Sequence, residues 1–188
     1  MSKNNLNHNN SKTPSTQIAV PTTNHSNNPT ILVLGCGNIL FGDDGFGPTV
    51  IEYLQKNYKL PENIAFIDAK TGIREILFDV ILTETKPKKI IIVDSVDAKK
   101  KPGEIFEISI DELPKNKIDD FSMHQLPTSN LLKELKELCH IDIAIIACQV
   151  ENIPQIDTSE LSDTLKNAIP KTCELILKLV SNFGGNNA

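Results

Sequence analysis

The sequence predicts an α/β fold, a three-layer sandwich in which a mainly parallel five-stranded sheet carries helices on both faces. Short, wholly apolar runs alternate along the chain with segments whose apolar residues recur at helical spacing. A Lys100-Lys101-Pro102-Gly103 turn, followed by alternating charged and apolar residues, predicts one antiparallel strand at the sheet edge. The length of 188 residues is that of one domain.

Five strands and four helices follow from these patterns. Apolar or alternating runs predict strands at residues 31–34, 63–67, 89–93, 104–110 and 141–150. Helical spacing predicts helices at residues 50–58, 73–82, 127–138 and 159–180. Pro170 is expected to divide the last helical region, and Asp68 and Asp94 are expected to stop the second and third strands. With right-handed crossovers, the simplest order at the centre of the sheet is 2-1-3.

The two ends of the chain differ in composition from the part between them. Residues 1–29 contain 8 Asn, 4 Ser, 4 Thr and 3 Pro but only two charged residues. A segment with so little apolar surface does not form a core of its own. We therefore predict a disordered polar tail at residues 1–29, a single α/β domain at residues 30–183 and a frayed C-terminus at residues 184–188.

Charge, hydropathy and cysteine content exclude several classes of protein. The formal net charge of −5 argues against a nucleic-acid binder, which needs a basic surface. The sequence has neither an apolar run of roughly 20 residues, as a membrane span requires, nor the apolar core of a signal peptide. Its four cysteines form no Cys-x-x-Cys pair, which is typical of reduced thiols in a cytoplasmic protein.

Carboxylates follow the first strand and end the third. Sites in open parallel sheets form beyond the carboxyl ends of the strands, at the switch point, which is the place where the strand order reverses. For a 2-1-3 order this point lies between the first and third strands. Asp43 and Asp44 come after the Gly35-Cys36-Gly37 turn, and Asp94 ends the third strand. The pattern therefore predicts that these carboxylates meet at one edge of the sheet.

Each of these acidic residues also has a structural interpretation. Asp43 and Asp44 could cap a helix or complement its dipole, and Asp94 could cap the following loop. Asp68 is expected to be structural, because its strand lies away from the switch point. A nucleotide site does not fit the turn, because Leu40 stands where the third glycine of Gly-x-Gly-x-x-Gly belongs.

A histidine and a cysteine lie near the same predicted edge. His124 stands in a loop directly before a predicted helix, and with two carboxylates it would form a three-ligand set for a borderline divalent ion. A lone loop histidine is more often incidental. Cys36 could be a nucleophile, but a buried, inert thiol is the favoured interpretation.

Taken together, these motifs resemble those of the hydrogenase maturation endopeptidases, nickel-dependent proteases that trim the C-terminus of the large subunit of nickel–iron hydrogenases. The resemblance spans about residues 31 to 180. Its first motif is Leu34-Gly35-Cys36-Gly37-Asn38-Ile39-Leu40 followed by Asp43-Asp44-Gly45-Phe46-Gly47. Its second and third motifs are Ile91-Ile92-Val93-Asp94 and Met123-His124-Gln125-Leu126, and the segment from His124 to Asn130 looks closer to the branch that serves the coenzyme F420-reducing hydrogenase.

The resemblance implies a function for three residues. The family's metal ligands, which are also its catalytic residues, fall on Asp44, Asp94 and His124. The implied reaction removes a C-terminal peptide from a nickel-loaded large-subunit precursor, by an aspartic-type or metallo-type peptidase without an organic cofactor. The precursor is the partner and supplies the nickel, which would polarise the scissile carbonyl or activate a water molecule. Neither nucleic acid nor membrane is implied.

Two departures and two alternatives accompany the resemblance. The first ligand is Glu in some family members and Asp44 here, and Asp68-Ala69-Lys70-Thr71 stands where many members have Asp-Gly-Gly-Thr. The first alternative is a non-catalytic maturation module with a flavodoxin-like sheet that binds nickel or the precursor without cutting. The second is a metallopeptidase with the same sheet that trims another protein.

Overall fold

The computed structural model of the chain describes residues 29–110, 128–151 and 160–185. The strands are β1 (Ile31–Cys36), β2 (Ile64–Lys70), β3 (Lys89–Val96), β4 (Ile105–Ile108) and β5 (Asp142–Gln149). The helices are α1 (Phe46–Asn57), α2 (Ile73–Leu82), α3 (Thr128–Glu137) and α4 (Asp163–Gly185). A short 3₁₀ helix, Gly42–Gly45, leads directly into α1.

The five strands form one sheet in the order β2-β1-β3-β5-β4. β1, β2, β3 and β5 are parallel to their neighbours, and β4 pairs antiparallel with β5 at the edge. The predicted fold class, the central 2-1-3 order and the antiparallel edge strand are therefore confirmed.

Alternate residues of β1 pack into two separate apolar layers, one on each face of the sheet. Ile31 and Val33 join a cluster that includes residues of α1 and α4. Leu32 and Leu34 join a second cluster that includes residues of α2 and α3. Because both faces are covered, the central strands are apolar throughout rather than alternating in polarity.

Two strands extend beyond the acidic residues that were expected to stop them. β3 continues past Asp94 to Val96, because β5 offers it a partner up to the Val96–Gln149 pair. β2 continues past Asp68 to Lys70, which pairs with Cys36 through an irregularity in the register. Pairing with a neighbouring strand outweighs the low strand propensity of aspartate at both positions.

The expected break at Pro170 is absent, and α4 is one continuous helix over residues 163–185. Pro170 lies on the exposed face, whereas Ile169 and Cys173 are buried in the core. Water can therefore bind the backbone carbonyl that has no N–H partner because of the proline. Burial of the residues on both sides offsets the cost of a proline inside a helix, about 3 kcal/mol.

Several predictions fall on parts of the chain that the structure does not describe. The predicted polar tail, apart from Pro29, lies outside the described residues, and so does the predicted loop that contains His124. At the other end, α4 includes Gly184 and Gly185. In the described ranges, each helix is too short or too polar to span a bilayer.

Candidate functional site

Asp94 and Cys36 lie next to each other at the carboxyl ends of β3 and β1. Gly35 of β1 is opposite Val93 of β3, so the next residue on each strand is Cys36 and Asp94. Cys36 is buried, and Asp94 is half-buried. The Oδ1 of Asp94 accepts a hydrogen bond of 2.8 Å from the backbone N–H of Ser95. The adjacent strand ends thus place this carboxylate at the predicted switch point.

The start of α1 lies against these same strand ends because Gly47 has no side chain. A Cβ atom at Gly47 would lie 2.3 Å from the carbonyl oxygen of Cys36 and 2.4 Å from that of Val93. Such distances are impossible without moving the backbone. Any larger residue at this position would push α1, and the 3₁₀ helix before it, away from Asp94.

Asp44 closes the turn that links β1 to the 3₁₀ helix. Its side chain is only 6% exposed, and its Oδ2 accepts a hydrogen bond of 2.7 Å from the backbone N–H of Asn38. The N-cap positions of the 3₁₀ helix and of α1 are Phe41 and Gly45, so Asp44 is not an N-cap residue. The contact to Asn38 fixes the orientation of the carboxylate beside the strand ends.

Asp43, the neighbour of Asp44, joins parts of the chain that are distant in sequence. Its Oδ2 accepts a hydrogen bond of 2.9 Å from the backbone N–H of Glu151, just after β5. Its Oδ1 accepts one of 2.7 Å from the backbone N–H of Ser162, just before α4. Asp43 is 3% exposed. Its carboxylate therefore has a structural role, holding the end of β5 and the start of α4 against the 3₁₀ helix.

Three carboxylates act on the buried thiol of Cys36. Burial raises the pKa of the Cys36 thiol well above its ordinary value, and the negative charges of Asp94, Asp68 and Asp44 raise it further. Asp44 and Asp94 are thus both close enough to Cys36 for their charges to act on its thiol. The thiol stays protonated at neutral pH, which supports the inert interpretation of Cys36.

Asp68 lies closer to this site than its strand position suggested. It is exposed, and its charge is near enough to act on Cys36. The order β2-β1-β3 keeps β2 away from the switch point between β1 and β3, as expected, although β2 is paired with β1 and Gly35 is opposite Asp68.

Lys70 stands at one of the two positions where Asp68-Ala69-Lys70-Thr71 differs from the pattern Asp-Gly-Gly-Thr. Its φ angle is +50°, in the left-handed region that favours glycine. Its carbonyl oxygen accepts a hydrogen bond of 2.9 Å from the backbone N–H of Gly37, and its own N–H donates to Asp68 Oδ1 at 3.1 Å. The end of β2 thus keeps a conformation suited to glycine although a lysine occupies it.

Gln149 is a buried residue of the same sheet edge that sequence analysis missed. Its Oε1 accepts hydrogen bonds from the backbone N–H groups of Ala98 and Lys100. Its Nε2 donates to Asp97 Oδ1 at 3.1 Å and to the carbonyl of Val150. Gln149 therefore holds the loop after β3 in place, and Asp97 takes part in that structural contact.

The structure brings together two of the three predicted ligands. Asp44 and Asp94 both lie near Cys36, whereas His124 lies outside the described residues. Within the described ranges, no group of three or more His, Cys, Asp or Glu side chains is arranged to hold a metal ion.

Comparison with known proteins gives consistent matches over most of the chain. A sequence model of the hydrogenase maturation protease family matches residues 48–179. Coenzyme F420 hydrogenase subunit delta of Methanothermobacter thermautotrophicus is 41% identical over 152 residues, which cover 78% of this chain and 92% of that protein. A putative hydrogenase maturation protease of Methanocaldococcus jannaschii is 40% identical over 148 residues, or 78% of this chain and 94% of that protein. The hydrogenase maturating endopeptidase HybD of Escherichia coli has a similar solved structure, with a TM-score of 0.65, 28% identity and coverage of 82% of this chain and 93% of that one.

Proposed function

The chain belongs to the hydrogenase maturation protease family, and we propose that it removes a C-terminal peptide from the nickel-loaded precursor of a nickel–iron hydrogenase large subunit. The observation that carries this proposal is geometric: Asp94 follows the Gly35–Val93 pair of β1 and β3, and Asp44 is hydrogen-bonded to Asn38, just after β1. The nickel is part of the substrate in this proposal, and the protein needs no organic cofactor.

Three side chains would hold the precursor's nickel. Asp44 and Asp94 supply carboxylate oxygens, and His124, which precedes α3 in the sequence, supplies an imidazole nitrogen. This set leaves coordination positions open for donors that the precursor contributes. Asp68 adds a third negative charge at the same edge, which favours the approach of a cation.

Binding of the nickel would position the nearby scissile peptide bond for hydrolysis. Water adds its oxygen to the carbonyl carbon, the C–N bond breaks, and the released amine takes up a proton. The nickel would assist either by polarising the carbonyl or by activating the water molecule. The protein would thus act as a metal-assisted peptidase whose metal arrives with its substrate.

Two neighbouring groups are poor candidates for a direct role in this hydrolysis. Both carboxylate oxygens of Asp43 accept backbone hydrogen bonds, so this residue is occupied in holding the fold. The Cys36 thiol is buried and its pKa is raised, so it is a weak nucleophile. The reaction is therefore assigned to Asp44, Asp94 and His124 rather than to an acyl-enzyme route.

We place the reaction in the cytoplasm, with the large-subunit precursor as the partner and without nucleic acid or membrane. All four cysteines of the chain are free, as is typical of a reducing compartment. The net charge of −5 disfavours binding to polyanions.

The test is to incubate the purified protein with nickel-loaded and nickel-free precursor and to measure the mass of the large subunit. The proposal predicts that only the nickel-loaded precursor becomes shorter, by loss of a C-terminal peptide. Binding of the precursor without any shortening would favour the non-catalytic module instead. Equal shortening of both forms would contradict recognition through nickel.

A further inference from the structure

The turn after β1 presents two large apolar side chains to solvent. The carbonyl oxygen of Asn38 accepts a hydrogen bond of 3.0 Å from the backbone N–H of Phe41, so Ile39 and Leu40 are the two central residues of a β-turn. Their exposed fractions are 55% and 51%. Gly, Asn, Asp, Ser and Pro are the residues that such turns favour. Two adjacent aliphatic residues at this position are therefore not explained by the turn itself.

The turn is held rigidly against the backbone of the 3₁₀ helix. A Cβ atom at Gly37 would lie 1.8 Å from the carbonyl oxygen of Asp44, and one at Gly45 would lie 2.8 Å from the Cα of Ile39. The Asn38 side chain closes the turn from within, since its Oδ1 accepts a hydrogen bond of 3.0 Å from the N–H of Leu40. The backbone that carries the two apolar side chains is thus held in place by these contacts, which reduces the backbone entropy lost on binding.

The same turn is continuous with the candidate active site. The N–H of Asn38, one residue before the apolar pair, donates to the Asp44 carboxylate at 2.7 Å. A partner that covers Ile39 and Leu40 would therefore also lie next to Asp44. Three other large apolar residues are exposed in the described part of the chain. Phe78 and Leu82 lie on α2, and Leu138 directly follows α3.

We propose that Ile39 and Leu40 form the docking surface for an apolar segment of the hydrogenase large-subunit precursor, next to the nickel that Asp44 binds. This inference rests on the proposed function, because it uses the same substrate and the same site. The surface adds affinity that does not depend on the metal, so that binding of the precursor is divided between nickel coordination and apolar contact. It also orients the precursor's chain relative to Asp44, because the turn and the carboxylate are joined by a hydrogen bond.

The test compares the wild-type protein with an Ile39→Ser/Leu40→Ser double variant. The matched controls are Leu82→Ser and Leu138→Ser, which change side chains that are 77% and 75% exposed. The dissociation constant for fluorescently labelled, nickel-loaded precursor and the KM and kcat of its shortening are measured for all four proteins. Melting temperature and circular dichroism report on the fold.

We expect the double variant to raise both the dissociation constant and KM by about 10-fold or more, given the apolar area that two half-exposed aliphatic side chains would bury. We expect kcat to change less than KM, and both controls to behave as the wild type does. Equal affinity of the double variant and the wild type would overturn the inference, as would an equal loss in the controls. A marked fall in the melting temperature of the double variant would also overturn it, since this would show that the protein's own chain covers the pair.

The same experiment separates the inference from the proposed function. If the wild type binds the precursor but does not shorten it, the proposed function fails, while the dissociation constants still decide whether the apolar pair docks the precursor. If the wild type shortens the precursor and the double variant does so with an unchanged KM, only the docking inference fails. If the wild type does not bind the precursor at all, both are overturned.

Discussion

The backbone N–H of Asn38 donates a 2.7 Å hydrogen bond to the carboxylate of Asp44. The turn that follows the interior strand β1 is thus closed by the side chain that we propose as a nickel ligand. Because Asp44 is almost fully buried, this contact limits its carboxylate to one orientation. The geometry of the loop and the geometry of the site are therefore determined together.

The first prediction concerns Asp43, which holds the end of β5 and the start of α4. Asp43→Ala removes the buried, charged acceptor of two partly buried hydrogen bonds, from the N–H groups of Glu151 and Ser162, so we expect a loss of about 2–4 kcal/mol in the free energy of unfolding. Urea denaturation measures this loss. The control is Asp79→Ala on the exposed side of α2, with an expected change within about 0.5 kcal/mol. Equal effects of the two substitutions would show that the Asp43 contacts contribute no stability.

The second prediction concerns the left-handed backbone of Lys70. A non-glycine residue with a φ of +50° costs about 1–2 kcal/mol, and replacing it by glycine recovers most of this cost. The greater freedom of glycine in the unfolded chain opposes folding by about 0.5–1 kcal/mol. The net expectation is that Lys70→Gly stabilises the protein by up to about 1 kcal/mol. Thermal denaturation measures the change. Lys88→Gly, at an ordinary φ, should instead destabilise, and a matching fall in both variants would contradict the strain at Lys70.

The third prediction concerns stability at alkaline pH. Burial raises the pKa of the Cys148 thiol to about 12 and that of the Cys173 thiol to about 11, from an ordinary value of 9.0. Between pH 9 and these values the unfolded chain releases thiol protons that the folded protein retains. The contribution of the two thiols to the free energy of unfolding is therefore fully present below pH 9 and is lost as the pH rises. The slope reaches about 1.4 kcal/mol per pH unit for each thiol.

Urea denaturation under reducing conditions at pH 8, 9, 10 and 11 measures this slope. We expect Cys173→Ala to be less stable than the wild type at pH 8, but to lose stability less steeply above pH 9. An identical slope for both proteins would contradict the assignment of the alkaline loss to Cys173. The comparison of slopes cancels the titration of lysines and tyrosines, which the two proteins share.

The sequence predicts the fold well because local patterns decide it. The apolar spacing of residues 73–82 matches α2 at both ends, since that helix packs one face on the sheet. The alternation of strands and helices leads to the parallel sheet with its antiparallel edge, and the family resemblance is confirmed by the comparisons. These features depend on residues that are close together in the chain.

The details that the sequence did not predict depend on contacts between distant segments. Asp43 reaches Glu151 and Ser162, which are 108 and 119 residues away, and nothing near Asp43 in the sequence indicates those partners. The strand ends at Asp68 and Asp94 were misjudged because pairing with a neighbouring strand decides where a strand stops. The sequence therefore predicts candidate site residues, but it does not predict the network of contacts around them.

Joint binding of the precursor's nickel by Asp44, Asp94 and His124 is tested by processing assays on the variants Asp44→Asn, Asp94→Asn and His124→Ala, each with its circular dichroism spectrum. Asparagine at position 44 keeps an oxygen that can accept the Asn38 hydrogen bond, so the fold should survive while the charge is lost. We predict that each variant is folded and shortens the nickel-loaded precursor at least about 100-fold more slowly than the wild type, as expected when a group that acts on the transition state is removed. Wild-type processing by a folded Asp44→Asn, Asp94→Asn or His124→Ala variant would contradict the account.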